Sequence, residues 1–132
     1  MIRFDKDKVM LLHQIMIEHS GGSAGVRDFD LLDSALESVY QTFGGVELYP
    51  TKEEKAARLG FNLISNHSFI DGNKRIGILV MLIFLEQSGV IIKATNREIV
   101  KIAYSIAEGK GKYEDLYEWI KKHKVLETTK AM

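Results

Sequence analysis

The stretch from Ile76 to Leu85 most constrains what this chain can fold into. It is apolar on every side of a helical wheel, and such a helix belongs at the centre of a folded domain. It is too short to span a bilayer, which takes about 20 apolar residues. A central helix must be surrounded, and the rest of the chain supplies helical periodicity to do so. Val9, Leu12, Met16 and His19 recur at helical spacing after a cap at Asp5, and Gly21-Gly22 stops that helix. Asp28 caps a second helix carrying Phe29, Leu32, Leu36, Val39 and Phe43. Thr51-Lys52-Glu53-Glu54 and Thr95-Asn96-Arg97-Glu98 are capping boxes that open two more helices. The first of these buries Ala56, Leu59, Leu63 and Ile64 and ends near His67. The second carries Ile99, Ile102, Ala103 and Ile106 and ends at Gly109 and Gly111. Tyr113 to His123 forms the last helix, with Leu116, Trp119 and Ile120 inward. Pro50 is the sole proline. The segment Gln41 to Pro50 therefore reads as a connector, broken by Gly44-Gly45 and faintly extended at Val46, Leu48 and Tyr49. Val90-Ile91-Ile92 reads as a short extended piece. The expected fold class is all-α: one compact bundle of about six helices over residues 1–125, with a loose tail over 126–132.

Composition narrows the chemistry. Lysine plus arginine equals aspartate plus glutamate at 18 each in 132 residues. That balance gives no general attraction to nucleic acid or to an acidic membrane, so anion chemistry must come from a local cluster. With no cysteine, disulfides and thiolate metal sites are excluded. The N-terminus shows no signal-peptide pattern, which fits a cytoplasmic protein.

The local cluster is His67-Ser68-Phe69-Ile70-Asp71-Gly72-Asn73-Lys74-Arg75, leading directly into the apolar helix. Gly72 permits a tight turn with close backbone approach to a ligand. The amides of Asn73, Lys74 and Arg75 then lie at a helix N-terminus, where free N–H groups and the helix dipole attract phosphate. Lys74 and Arg75 oppose that dipole, a local conflict that an anion would relieve. Asp71 is a hard oxygen ligand of the kind Mg²⁺ takes beside phosphate oxygens. His67 supplies an imidazole that can accept a proton from an attacking hydroxyl. Each residue also has a plain structural reading: histidine at a helix end, Asp-Gly as a turn, Asn73 as a cap, Lys-Arg as a solvated pair, Phe69 as a core anchor. Their coincidence ahead of a buried helix favours a phosphate-transfer site.

This motif resembles the active-site motif of the Fic/Doc superfamily, in its Doc (death-on-curing) form. The resemblance extends to Gly21-Gly22, Gly25-Val26-Arg27-Asp28 and Leu32 to Leu36. It continues through Phe43-Gly44-Gly45, Leu48-Tyr49-Pro50, Glu54-Lys55-Ala56-Ala57, Phe84-Leu85 and Trp119-Ile120. It implies the Fic fold, with a short flap before the third helix, around Val46 to Tyr49, that docks a target peptide by main-chain pairing. By the same resemblance His67 is the general base and Phe69 buried support. Asp71 holds Mg²⁺; Gly72, Asn73 and Lys74 form the anion hole; Arg75 binds nucleotide phosphates.

Nucleotidyl-transferring relatives carry glycine at the place of Lys74 and a second arginine at the place of Ile78. Lysine crowds the loop and goes with a reversed ATP whose γ-phosphate faces the base. The implied activity is that of a Doc-like toxin, a kinase-like phosphotransferase moving the ATP γ-phosphate to a Ser/Thr hydroxyl of a host protein. The target the resemblance suggests is elongation factor Tu, with translation blocked. Two other readings remain: a Fic-type adenylyltransferase, and a catalytically silent binding module. Ser105-Ile106-Ala107-Glu108-Gly109 is one residue short of the family's self-inhibitory helix, so a separate Phd-like antitoxin is the expected inhibitor. Neither nucleic acid nor membrane is an expected partner.

Overall fold

The computed structural model describes residues 3–127. Among these the order is α1 (Lys6–Ser20), α2 (Phe29–Glu37), a 3-10 turn (Ser38–Tyr40), β1 (Thr42–Phe43), β2 (Val46–Glu47), α3 (Lys52–Ser65), α4 (Asn73–Gln87), β3 (Val90–Ile92), α5 (Asn96–Ala107), α6 (Tyr113–His123) and β4 (Lys124–Glu127). The fold is all-α in class, with strands confined to two short antiparallel pairs among the described residues. No helix among the described residues is long and apolar enough to cross a membrane.

The expected caps form. Asp5 accepts from the Lys8 amide at 2.8 Å, and Asp28 accepts from the Leu31 amide at 3.0 Å. Both capping boxes close reciprocally, Thr51 with Glu54 and Thr95 with Glu98.

The apolar helix is α4. It buries Ile76, Ile78, Val80, Met81, Phe84 and Leu85 and packs on α1, α3, α5 and β3. Burying each large side chain contributes roughly 1.5–3 kcal/mol relative to exposure. Its closest neighbour is α3, and two glycines set the separation. A Cβ on Gly77 would lie 2.5 Å from Ile64 Cγ1 and 3.1 Å from the Gly60 carbonyl oxygen. One on Gly60 would crowd Met81 and Leu116 at 3.1–3.3 Å.

Three expectations change. The buried stripe of α1 is Val9, His13 and Ile17. Leu12 and Met16 are half-buried and His19 is exposed. The stripe is rotated because His13, polar by type, buries with its N–H satisfied inside the fold. Phe43 does not extend the second helix but sits in β1, 81% exposed. The chain turns extended at Gln41, and Gly44-Gly45 adopt φ of 58° and 82°. Positive φ at both central residues closes a two-residue hairpin, pairing Phe43 with Val46. The weak extended character of the connector is thus a real hairpin. Third, the expected loose tail begins inside β4, where Leu126 and Glu127 pair with Ile91 and Val90. Residues 128–132 lie outside the described residues.

The β1–β2 hairpin is exposed along its length but tethered at its base. Lys55, with a side chain only 3% exposed, reaches Glu47 Oε1 at 2.8 Å and also donates to the Tyr49 carbonyl. Arg58 lies over the rings of Tyr49 and Tyr113 at 4.7 and 4.2 Å.

Replacing Gly77 with alanine forces α3 and α4 apart and lowers stability by about 1–3 kcal/mol, the usual cost of overpacking. A urea melt reads this directly, and an unchanged midpoint contradicts the close approach.

Candidate active site

The loop between α3 and α4 is held from three sides. α3 ends at Ser65, and His67 reverses the chain at φ 51°. This left-handed region is one that histidine tolerates better than most side chains. Residues 25–28 then run alongside as a splint. Val26 bridges Phe69, and the amides of Arg27 and Asp28 both donate to the Ser68 carbonyl, at 2.7 and 3.1 Å. Ile70 N–H donates to the Gly25 carbonyl at 3.1 Å. The Arg27 guanidinium donates to the carbonyls of His67 and Asn66. From within, Asn73 staples the loop: its Oδ1 accepts from Phe69 N at 3.1 Å, and its Nδ2 donates to Phe69 O at 3.0 Å. Phe69 itself is buried and stacks on His13, with ring centroids 3.9 Å apart.

The end of α1 forms the third support. His13 Nε2 donates to the Asp71 carbonyl at 2.8 Å. Asp71 Oδ2 accepts from Ser23 N at 3.0 Å, and Oδ1 accepts from Gly72 N at 2.8 Å. Arg75 Nη1 donates to Ser20 Oγ and to the Gly21 carbonyl. Gly22 makes room for this meeting: a Cβ there would lie 2.6 Å from the Asp71 carboxylate and 2.8 Å from the Arg75 guanidinium. The Ser23 and Gly72 amides, aided by the charge of Arg75, hold the Asp71 carboxyl below its usual range against partial desolvation. The group is exposed and ionised, with lone pairs to spare.

Gly72 is left-handed, at φ 78° and ψ 21°, and no side chain caps α4. Among the described residues the amides of Asn73, Lys74 and Arg75 meet no protein acceptor. The first intrahelical bond is Ile76 N to the Gly72 carbonyl. Free donors at the head of a buried helix make an anion site.

The structure places the motif residues differently from one another. Asp71, Gly72 and Arg75 gather at the end of α1. Lys74 leans the other way, its Nζ 4.8 Å above the Tyr104 ring on α5. The two cations are thus partly compensated by the fold itself, so the conflict with the helix dipole is milder than the sequence suggests. His67 stands exposed at the far end of the loop, and its imidazole has no hydrogen-bond partner among the described residues. Asn73 offers its backbone amide, because its side chain is committed to Phe69. Behind Lys74 and Arg75 a groove of about 650 Å³ opens between α1, α4 and α5, lined by Met16, Ile78, Leu82, Val100 and Tyr104. Among the described residues no three His, Cys, Asp or Glu side chains converge as a metal cage. Asp71 could serve a metal only as a single carboxylate, which is how Mg²⁺ sits when phosphates complete its shell.

Sequence reasoning missed His13, Ser20, Ser23 and the Arg27 side chain. All act through contacts with residues 39 or more positions away, as in Arg27 to Asn66 and His13 to Asp71. His13 alone left a trace, at the helical spacing of Val9 and Ile17. Replacing Asn73 with alanine strands the Phe69 N–H and C=O, costing about 1–3 kcal/mol. Chemical denaturation measures this, and no loss would contradict the staple.

Residues 3–85 match the Fic/DOC family. A curated protein named Toxin Doc, from Mycolicibacterium smegmatis, is 42% identical over 74 residues. That alignment covers 56% of this chain and spans only 57% of the relative's own length. The matched family region includes the whole loop and its supports on α1, α2, α3 and most of α4. The chain belongs to the Fic/DOC family.

Proposed function

We propose that this chain is a Doc-like toxin that transfers the γ-phosphate of ATP to a Ser or Thr hydroxyl of a host protein. The observation that carries the reading is the set of unpaired amides at Asn73–Arg75, beside the ionised Asp71 carboxylate and the unbonded His67 imidazole. In this mechanism the amides bind phosphate oxygens as charge shifts during transfer. Arg75 adds donors: Nη1 keeps the fold contacts, and the rest of the guanidinium is available to phosphate. Lys74 leaves Tyr104 at small cost, since an exposed cation–π contact is worth about 0.5–1 kcal/mol. His67 takes the proton from the target hydroxyl. The hydroxyl oxygen forms its bond to the γ-phosphorus as the bond to the ADP oxygen breaks. Asp71 would hold Mg²⁺, which offsets phosphate charge when bound.

The flap that docks the target corresponds to the β1–β2 hairpin, whose exposed Phe43, Val46 and Leu48 offer apolar contacts beside free main-chain groups. Elongation factor Tu is the target suggested by the family resemblance, and its modification blocks translation in the cytoplasm. A toxin of this kind needs an antitoxin. The groove between α1, α4 and α5 suits an amphipathic segment of a Phd-like partner, apolar along its length and acidic where it meets Lys74 and Arg75. The relative's name, Toxin Doc, supports both the toxin and the antitoxin.

In a host lysate, purified protein labels a protein band from γ-labelled ATP and none from α-labelled ATP. The reverse pattern establishes nucleotidyl transfer instead. His67→Ala lowers transfer by about 10²–10⁴, the worth of a general base, and abolishes growth arrest; equal toxicity with and without His67 identifies a silent binding module. Asp71→Asn weakens Mg²⁺-ATP binding by about tenfold or more, given the charge it removes from a hard-cation site, with the fold retained by circular dichroism. Unchanged affinity in calorimetry removes Asp71 from the metal site.

A further inference from the structure

We infer that His13 is a positioning residue that locks the peptide plane between Asp71 and Gly72, and through it the anion loop. His13 is 2% exposed, and its ring lies nearly parallel to Phe69, at 12°. The acceptor is a carbonyl, so the Nε2 atom carries the proton. In a planar trans peptide the C=O and the following N–H point in opposite directions. Drawing the Asp71 carbonyl toward His13 therefore aims the Gly72 N–H the other way, onto Asp71 Oδ1 at 2.8 Å. This bond from α1 thus sets the φ of 78° at Gly72 and, together with the Ser23 amide on Oδ2, the orientation of the Asp71 carboxylate. Glycine is needed for that φ, yet glycine also leaves the peptide free to flip. His13 removes this freedom. A flipped peptide would turn the Asp71 carbonyl toward the loop's open side, close to where the amides of α4 await an anion.

The structural part of this inference stands alone; its effect on binding rests on the proposed phosphate site. The test uses the full chain carrying His67→Ala, with two further variants. His13→Gln keeps a donor at the reach of Nε2, and His13→Met keeps bulk but no donor. Nitrogen-edited NMR of the parent should show a slowly exchanging Nε2 proton on His13. Residues 71–75 should give one set of amide signals in the parent and in His13→Gln, and broadened or doubled signals in His13→Met. With Mg²⁺ and a non-hydrolysable ATP analogue, His13→Met should bind about tenfold more weakly and His13→Gln within about threefold of the parent, the scale of one hydrogen bond. Unaltered loop signals in His13→Met, or equal disturbance in both variants, overturns the inference. If His13→Met fails to fold, the protected Nε2 proton and the Gln variant decide it, and absence of that proton overturns it. If even the parent binds no analogue, the proposed function fails while the loop signals still judge His13.

Discussion

At Gly77 the backbone of α4 lies so close to α3 that an added Cβ would sit 3.1 Å from the Gly60 carbonyl oxygen and 2.5 Å from the Ile64 side chain. The arrangement of the site depends on that contact. It sinks the middle of α4 into the core, where its side chains are mutually buried, and so fixes where its N-terminus emerges. A helix end held this way cannot drift to find a cap. The surrounding loop must satisfy it or leave it open, and here the loop leaves it open. The short connection from Asn66 to Gly72 is then bound by two elements that come before it in the chain, the end of α1 and the splint at residues 25–28. Scaffold and site are therefore one construction, with rigidity supplied by the core and openness by the missing cap.

The charges follow from this geometry. Each charged side chain of the loop has a resting place that costs little to leave or does not consume all its valence. Asp71 accepts two amides and retains lone pairs. Arg75 ties down one nitrogen to the end of α1. Lys74 rests on an aromatic face at the rim of the apolar groove. In the proposed function such an arrangement holds the groups near the positions they would take, which limits the ordering cost of binding a polyanion. The groove shares Lys74 and Arg75 with the proposed phosphate site. An occupant of one therefore meets the same cations as an occupant of the other.

Much of this was legible in the sequence because it is local. Capping boxes, glycine stops and the all-apolar run are written in consecutive residues, and the structure places α3, α4 and α5 where those signals put them. The family motif likewise occupies nine neighbouring positions, and it falls on the loop that leads into α4. What escaped was contact between distant segments. His13 drew no notice in the sequence, because its partner is a backbone carbonyl 58 residues away. Phe43 continued a helical spacing that the Gly44-Gly45 turn overrode. Leu126 looked like a tail because nothing in its neighbourhood reveals β3 as its partner.

The central claim is that the loop ahead of α4 serves phosphate transfer to a protein hydroxyl. Mass spectrometry of host proteins after brief induction of the chain, with the His67→Ala variant as control, tests it most directly. The account predicts a host protein, elongation factor Tu foremost, that gains the mass of one phosphate on a Ser or Thr and is unmodified in the control. A gain of one nucleotide's mass, or no His67-dependent modification despite growth arrest, would contradict it.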